Sequence, residues 1–362
     1  MINLKNIKPL GVKEESIMDL LQLYQFKGKD YYYDNLFKND SEAIIRKNIK
    51  SELLAVAEYL KLDITEPRKK LLFKKNCQPK NNDEKFYINL KNTLVKFIGN
   101  YKTFEFESNE ILMLVKRLYG DSENIRYRTY KQVVDSMSLV ENTKLVSLRD
   151  EIQAMLVEFK MKLDSKKYEN TNLIANFYID YINQEFFTNH NDFLAIMIMY
   201  VLLFASGFTV FKYTSFFELL IKYQSELKNA TLKANMNYED GYSDTRMLDE
   251  LIIKILLEAY DNVEEYVNAY SFDTNNSKED NIVAIIYKLP QEFTKDDIRN
   301  RDPLSSDSTI NRALQRLSKE KKIRSLGYGR SAKWLRIEKE QSYNDLRQIS
   351  LFELTDEDHD LD

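Results

Sequence analysis

The chain has 362 residues, 43% of them hydrophobic, and a net charge of -4, so it is long enough for two or three globular domains. Its single cysteine, Cys77, excludes an internal disulfide, and one cysteine with two histidines is too few for a typical zinc site. The first residues lack the apolar run of a signal segment, so we expect a cytoplasmic protein.

The N-terminal part of the chain, residues 1–106, is predicted to be helical. Apolar residues recur at helical spacing over Ser41–Leu62, and a second periodic stretch covers Asp83–Gly99. The polar segment Cys77–Glu84 predicts a loop ahead of the second stretch. Glycine and proline are scarce, with 8 and 5 residues in the whole chain, which favours long helices.

The central part, residues 107–270, is predicted to be a helical domain with a small hairpin. The polar stretch Ser122–Val133 predicts the hairpin. The uncharged run Phe193–Phe208 is shorter than the roughly 20 residues of a membrane-spanning helix, so we interpret it as a helix buried on all sides and expect no membrane partner. Helices are predicted at about 135–163, 172–186, 192–206, 214–231 and 245–269.

The C-terminal part is predicted to follow a polar linker, residues 271–280, and to form an α+β domain over 281–340. Three helices are expected, the third with Ile310, Ala313, Leu314 and Leu317 on one face. A glycine-containing turn at 327–329 then joins two short strands into a predicted hairpin. Residues 341–362 form an acidic tail that is predicted to be disordered.

The order helix–helix–helix–hairpin is typical of a winged helix, a common DNA-binding domain. Residues 281–339 hold 14 Lys and Arg against 7 Asp and Glu, whereas the remainder of the chain sums to -11, and this asymmetry favours phosphate contact. A solvated basic face on a domain that contacts only protein is the alternative. The residues predicted to contact DNA are Thr309, Asn311, Arg312, Gln315, Arg316, Lys319, Arg330 and Lys333.

Residues 172–231 resemble the core of the Fic family, and the resemblance extends over about 107–270. The stretches NLIANFYIDYINQEF (172–186) and FLAIMIMYVLLFASG (193–207) are similar to the two core helices, and Tyr213 and Ser215 to the start of the next helix. SENIRYRTYKQVV (122–134) is similar to the flap hairpin of the family. The resemblance implies a mainly α fold. It also implies an enzyme that transfers AMP from ATP to protein hydroxyls, with magnesium as cofactor.

The loop between the core helices of Fic enzymes has the pattern His-Pro-Phe-x-Asp-Gly-Asn-Gly-Arg, and here its nine positions fall on Glu185–Phe193. Phe187 and Asn191 match. The resemblance implies that the other positions lack the general base, the metal ligand, the backbone N–H groups that bind phosphate and the arginine that binds phosphate. We therefore expect no catalytic residue, cofactor or metal. The replacements that remove these functions are Glu185 for histidine, Asn189 for aspartate, His190 and Asp192 for the two glycines, and Phe193 for arginine.

Many Fic proteins also have an inhibitory helix with the pattern Ser/Thr-x-x-x-Glu-Gly/Asn. The stretch SELLAVAEYL (51–60) places Glu58 at the glutamate position, with Leu54 and Tyr59 at the flanking positions. The resemblance implies that Glu58 is a relic of this motif, and an ordinary surface residue is the alternative.

Three functions remain open at this point. The first is a catalytically degenerate Fic-like regulator, from a bacterium or phage, that binds DNA as a homodimer. The second is a divergent nucleotidyltransferase that uses Glu185 or His190 with ATP and magnesium. The third is an interaction scaffold that binds a protein partner through its winged helix.

Overall fold

The computed structural model describes residues 4, 7, 14–74, 77–120, 123–135, 142–274, 278–302, 305–327 and 332–337. The chain divides into two compact units, residues 1–267 and 268–362. The first unit is mainly helical, and both units contain a small antiparallel sheet, so the predicted fold class is confirmed.

The first unit consists of helices joined by short connections and of one hairpin. Its last helix, α12, continues past the boundary between the units. The helices are α1 (Glu14–Lys27), α2 (Asp30–Leu36), α3 (Ser41–Tyr59), α4 (Glu66–Lys74), α5 (Asn82–Asn100), α6 (Ser108–Tyr119), α7 (Leu148–Ser165), α8 (Asn170–Gln184), α9 (Asn191–Ala205), α10 (Phe216–Lys222), α11 (Gln224–Asn235) and α12 (Arg246–Thr274). The strands are β1 (Thr129–Asp135) and β2 (Asn142–Ser147).

Helices α8 and α9 form the centre of the first unit. Every residue of α9 from Phe193 to Phe204 is no more than 3% exposed, and α8 is buried from Thr171 to Tyr181. The uncharged run that starts at Phe193 and forms most of α9 is therefore the core helix predicted from the sequence. Among the helices that the structure describes, none is long and apolar enough to cross a membrane.

Helix α3 is fixed to α10 by buried polar groups. The carboxylate of Glu52, 0% exposed, accepts hydrogen bonds from Ser215 Oγ at 2.7 Å and from the backbone N–H groups of Phe216 at 3.0 Å and Phe217 at 2.9 Å. These donors lie at the first turn of α10, which has no helical acceptors for them. Burial raises the pKa of Glu52 to about 7, although the three hydrogen bonds oppose the shift.

The hairpin lies later in the chain than the sequence indicates. Strands β1 and β2 pair antiparallel from Thr129 with Ser147 onward, so the hairpin predicted at 122–133 and the helix start predicted near 135 are wrong. Helix α7 begins at Leu148 because the Ser147 side chain accepts a hydrogen bond from the Arg149 N–H and caps the helix. Pairing with β1, rather than helical periodicity, determines the structure of residues 142–147.

Other elements differ from the predicted ones because tertiary packing defines them. The helix predicted at 214–231 is two helices, α10 and α11, which meet at Tyr223, whose hydroxyl donates to Glu258 of α12. The sequence pattern does not indicate α1, α2 or α4. Helices this short are stable only when packed, and they bury Leu23, Tyr33 and Leu72 completely.

The second unit has the predicted order of helices and hairpin, with one additional strand. It consists of α13 (Lys278–Lys288), β3 (Glu292–Thr294), α14 (Lys295–Arg301), α15 (Asp307–Lys319), β4 (Ile323–Ser325) and β5 (Lys333–Arg336), and the sheet order is β3-β5-β4. Thr294 and Asp297 form a capping box at the start of α14. Residues 271–274 and 278–280 of the predicted linker are helical, and the acidic tail lies outside the described residues.

Candidate functional site

The connection between α8 and α9 is a tight loop with two residues in the left-handed region of backbone space. Glu185 ends α8 with φ of 46°, and His190 precedes α9 with φ of 62°. This conformation costs a non-glycine residue on the order of 1 kcal/mol, so surrounding contacts must hold it.

Backbone pairing holds the middle of this loop against the segment that leads into β1. Arg128 N donates to Phe186 O at 2.9 Å, and Thr188 N donates to Arg126 O at 3.0 Å. The rings of Tyr127 and Phe187 stack between these two bonds, with centroids 4.5 Å apart. The loop is thus an extra strand-like segment at the base of the hairpin.

One asparagine joins the start of α9 to the middle of the loop. Asn191 Oδ1 accepts from Phe187 N at 2.9 Å, and Asn191 Nδ2 donates to Phe187 O at 2.7 Å. The side-chain amide thereby forms the two hydrogen bonds that a neighbouring strand would form with the Phe187 backbone. This reciprocal pair joins the two positions of the loop that the sequence pattern shares with the Fic motif.

Two polar loop residues, Glu185 and His190, contact the segment that precedes the hairpin. Glu185 Oε2 accepts from Arg128 Nη1 at 2.6 Å. His190 Nε2 lies 2.5 Å from Glu123 Oε2, and its ring stacks on Tyr119 with centroids 4.3 Å apart. The Glu185–Arg128 ion pair and the His190–Glu123 contact are both partly exposed, so each contributes little to stability and mainly restricts the loop.

The last loop position is part of the hydrophobic core. Phe193 is 3% exposed and packs against the rings of Phe86 and Phe217, with centroids 5.7 and 6.1 Å away. Its neighbour Asp192 faces the end of α3, where burial and then the Asp192 carboxylate raise the pKa of Tyr59. Glu58 is exposed at that end of α3.

Comparison with known structures shows what this arrangement is similar to. A Fic family protein from Desulfovibrio desulfuricans G20 matches 92% of this chain and 100% of its own, with a TM-score of 0.51 and 11% sequence identity. This chain has a Fic-type fold. Fic-1 from C. elegans is a weaker match, with a TM-score of 0.46 and 13% identity over 68% of this chain and 72% of its own. No protein-family model and no curated protein sequence matches the chain.

The Fic-type fold brings the predicted loop residues Glu185 to Phe193 together between α8 and α9. The partners that fix them, Tyr119, Glu123 and Arg128, were missed by the sequence analysis. Each of these contacts joins residues 57 or more positions apart, and no local pattern signals such a pair. Within the described ranges, no cluster of three His, Cys, Asp or Glu side chains could hold a metal ion.

A second candidate site lies on α15 of the other unit. Its apolar face is buried, with Ile310, Leu314 and Leu317 each 1% exposed. Ser306 caps the helix by accepting from Thr309 N at 3.2 Å. The exposed face carries amides and cations, namely Asn311, Arg312, Gln315 and Lys319.

Three of the residues predicted to contact DNA do not belong to the exposed face of α15. Thr309 is only 7% exposed, because its hydroxyl pairs with Ser306 Oγ in the capped first turn, so its predicted place on the outer face is wrong. Lys333 is exposed on β5, with Nζ 3.6 Å from Glu292 Oε2. Arg330 lies outside the described residues.

Proposed function

We propose that the second unit is a winged helix that binds duplex DNA through α15. The main support for the proposal is that α15 is amphipathic. Ile310, Leu314 and Leu317 are buried on one face, and Arg312 and Gln315 are exposed on the other. Amides suit base edges and guanidinium groups suit both bases and phosphates. The excess of basic residues between 281 and 339 supports the same proposal.

We propose further that the loop of the first unit does not carry out ordinary Fic nucleotidyl transfer. The residues present do not fit magnesium and ATP: a neutral amide, Asn189, replaces the acidic metal ligand, and Phe193 turns a buried ring into the core where the family has an arginine. Glu185, at the position of the general base, is paired with Arg128. Asp192 adds a negative charge beside the phosphate position.

Together, the two proposals describe a DNA-binding regulator whose first unit mediates self-association or senses a ligand. We propose that it acts as a homodimer, because two winged helices would then address two half-sites. An exposed apolar face on α1, formed by Ile17, Leu21 and Tyr24 at 44%, 56% and 40% exposure, supports self-association. Light scattering of the purified full chain tests this, and a monomer at all concentrations would contradict it.

DNA binding is tested by selecting sites from a pool of genomic fragments with the full-length protein at two salt concentrations. Enrichment of one sequence that survives the higher salt is expected. Arg312→Ala and Arg316→Ala should each weaken binding by about tenfold. Arg246→Ala removes an exposed arginine of the first unit, 67% exposed, and serves as the matched control. Equal affinity of all three variants would contradict the proposal.

Nucleotide transfer is tested separately with labelled ATP and magnesium. No label on the protein or on proteins of an extract is expected. Label that disappears in Glu185→Ala or His190→Ala would instead establish the divergent nucleotidyltransferase. A stable complex with a protein, retained when Arg312 and Arg316 are replaced and no DNA is bound, would establish the scaffold.

A further inference from the structure

The two arginines proposed to contact DNA already face an acidic side chain of their own unit. Glu279, in the first turn of α13, has Oε1 3.7 Å from Arg312 Nε and Oε2 3.9 Å from Arg316 Nη1. The Glu279 side chain is 29% exposed, whereas that of Arg312 is 64% exposed. One carboxylate from a different helix therefore lies between two cations that are one turn apart on α15.

We propose that Glu279 competes with DNA phosphates for Arg312 and Arg316 and thereby restrains the DNA affinity of the second unit. This inference rests on the proposed function. A carboxylate offers these guanidinium groups the same charge and the same kind of oxygen acceptor as a phosphate. Arg312 and Arg316 must release Glu279, or share it with DNA, when a phosphate approaches.

The geometry makes Glu279 a replaceable partner. At 3.7 and 3.9 Å the contacts are ion pairs without the shorter distance of a charge-assisted hydrogen bond. Partly exposed pairs of this kind are weak and are screened by salt. Asn311 and Gln315, the neutral side chains of the same face, carry no charge for Glu279 to attract. The restraint therefore acts on the electrostatic part of binding.

The experiment compares wild type and Glu279→Gln, both as full chains, by fluorescence anisotropy with a short labelled duplex of mixed sequence. We expect Glu279→Gln to bind about three- to tenfold more tightly at low salt. The difference should shrink as salt rises, because the Glu279 pairs of the wild type are then already screened. A far-UV circular dichroism spectrum equal to that of wild type establishes that the variant is folded.

Two further variants separate competition from a general effect of charge. Asp296→Asn removes one negative charge from α14 of the same unit, where Asp296 pairs with Arg299 and is 77% exposed. It should change the affinity much less than Glu279→Gln. In a background with Arg312→Met and Arg316→Met, the Glu279→Gln change should bring no gain, because its two partners are gone.

The outcomes distinguish this inference from the proposed function. If wild type binds and Glu279→Gln binds equally or more weakly, Glu279 does not compete and only this inference is overturned. An equal gain in Asp296→Asn also overturns it, because net charge then explains the effect. If neither wild type nor Glu279→Gln binds the duplex at low salt, the proposed DNA-binding function falls together with it.

Discussion

Glu52 of α3 accepts a hydrogen bond from Ser215 Oγ at 2.7 Å, although the two residues are 163 positions apart. The same carboxylate accepts the backbone N–H groups of Phe216 and Phe217, so a side chain from one helix caps another. Ser215 in turn caps α10 by accepting from Glu218 N at 3.1 Å. Helices α3 and α10 are therefore held by a shared cap and not by apolar packing alone.

We expect Glu52→Ala to destabilise the protein by about 2–4 kcal/mol, because it leaves buried N–H groups of α10 without an acceptor. Equilibrium denaturation with urea measures the change in the free energy of unfolding. Glu58→Ala, six residues farther along α3 and exposed, is the control and should change that free energy by about 0.5 kcal/mol or less. Equal losses in both variants would mean that the cap contributes nothing specific.

Asp249 should make a contribution to the stability of the fold that decreases as pH rises. Burial, and then the nearby Glu169 carboxylate, raises the pKa of Asp249 to about 7 from an ordinary value of 3.8. Thr171 Oγ1 pairs with both Asp249 and Glu169, and its single hydrogen can serve only one of them. A protonated Asp249 supplies the second hydrogen, so the folded state holds this proton more tightly than the unfolded state.

The stability that this proton contributes is complete below about pH 4 and is lost as pH rises toward 7. We expect Asp249→Asn, which mimics the protonated form, to be more stable than wild type at pH 8 by on the order of 2 kcal/mol. The advantage should vanish near pH 4. Thermal unfolding of both proteins across this range checks the expectation, and parallel curves would contradict it. Asp244→Asn is a suitable control, because its pKa is lowered, to about 2, by Arg246.

The reciprocal pair between Asn191 and Phe187 predicts a specific loss in the loop. Asn191→Ala removes a donor and an acceptor from the Phe187 backbone, and we expect a cost of about 1–3 kcal/mol. Glu185→Ala breaks an exposed ion pair and should cost less than about 1 kcal/mol. Hydrogen exchange at the Phe187 amide should accelerate in the first variant only. Unchanged exchange there would show that the pair does not hold the loop.

Placing the arginine of the Fic motif at the last loop position should not produce an active site. Phe193→Arg places an unpaired cation among Phe86 and Phe217, and we expect destabilisation by at least about 3 kcal/mol without a gain in nucleotide transfer. Phe193→Leu, an apolar replacement, should cost about 1–2 kcal/mol and separates lost packing from buried charge. A Phe193→Arg protein that folds and transfers nucleotide would contradict the expectation that this buried position does not tolerate an arginine.

The elements that depend on local pattern were predictable from the sequence. Apolar spacing indicates α3, α5, α8, α9 and α15, because a helix repeats every 3.6 residues and its buried face follows from that period alone. The uncharged composition of α9 from Phe193 onward likewise indicates a helix buried on all sides. The loop Glu185–Phe193 was found because the helices on either side of it resemble those of the Fic family.

Contacts between distant parts of the chain were decided only by the tertiary structure. The partners of Glu185 and His190, the cap that Glu52 provides, and the ion pairs of Glu279 all join residues far apart in sequence. The position of β2 depends on its pairing with β1 across the hairpin. The physical reason is that hydrogen bonds, ion pairs and strand pairing are short-range in space, and only the packed core brings such residues within reach.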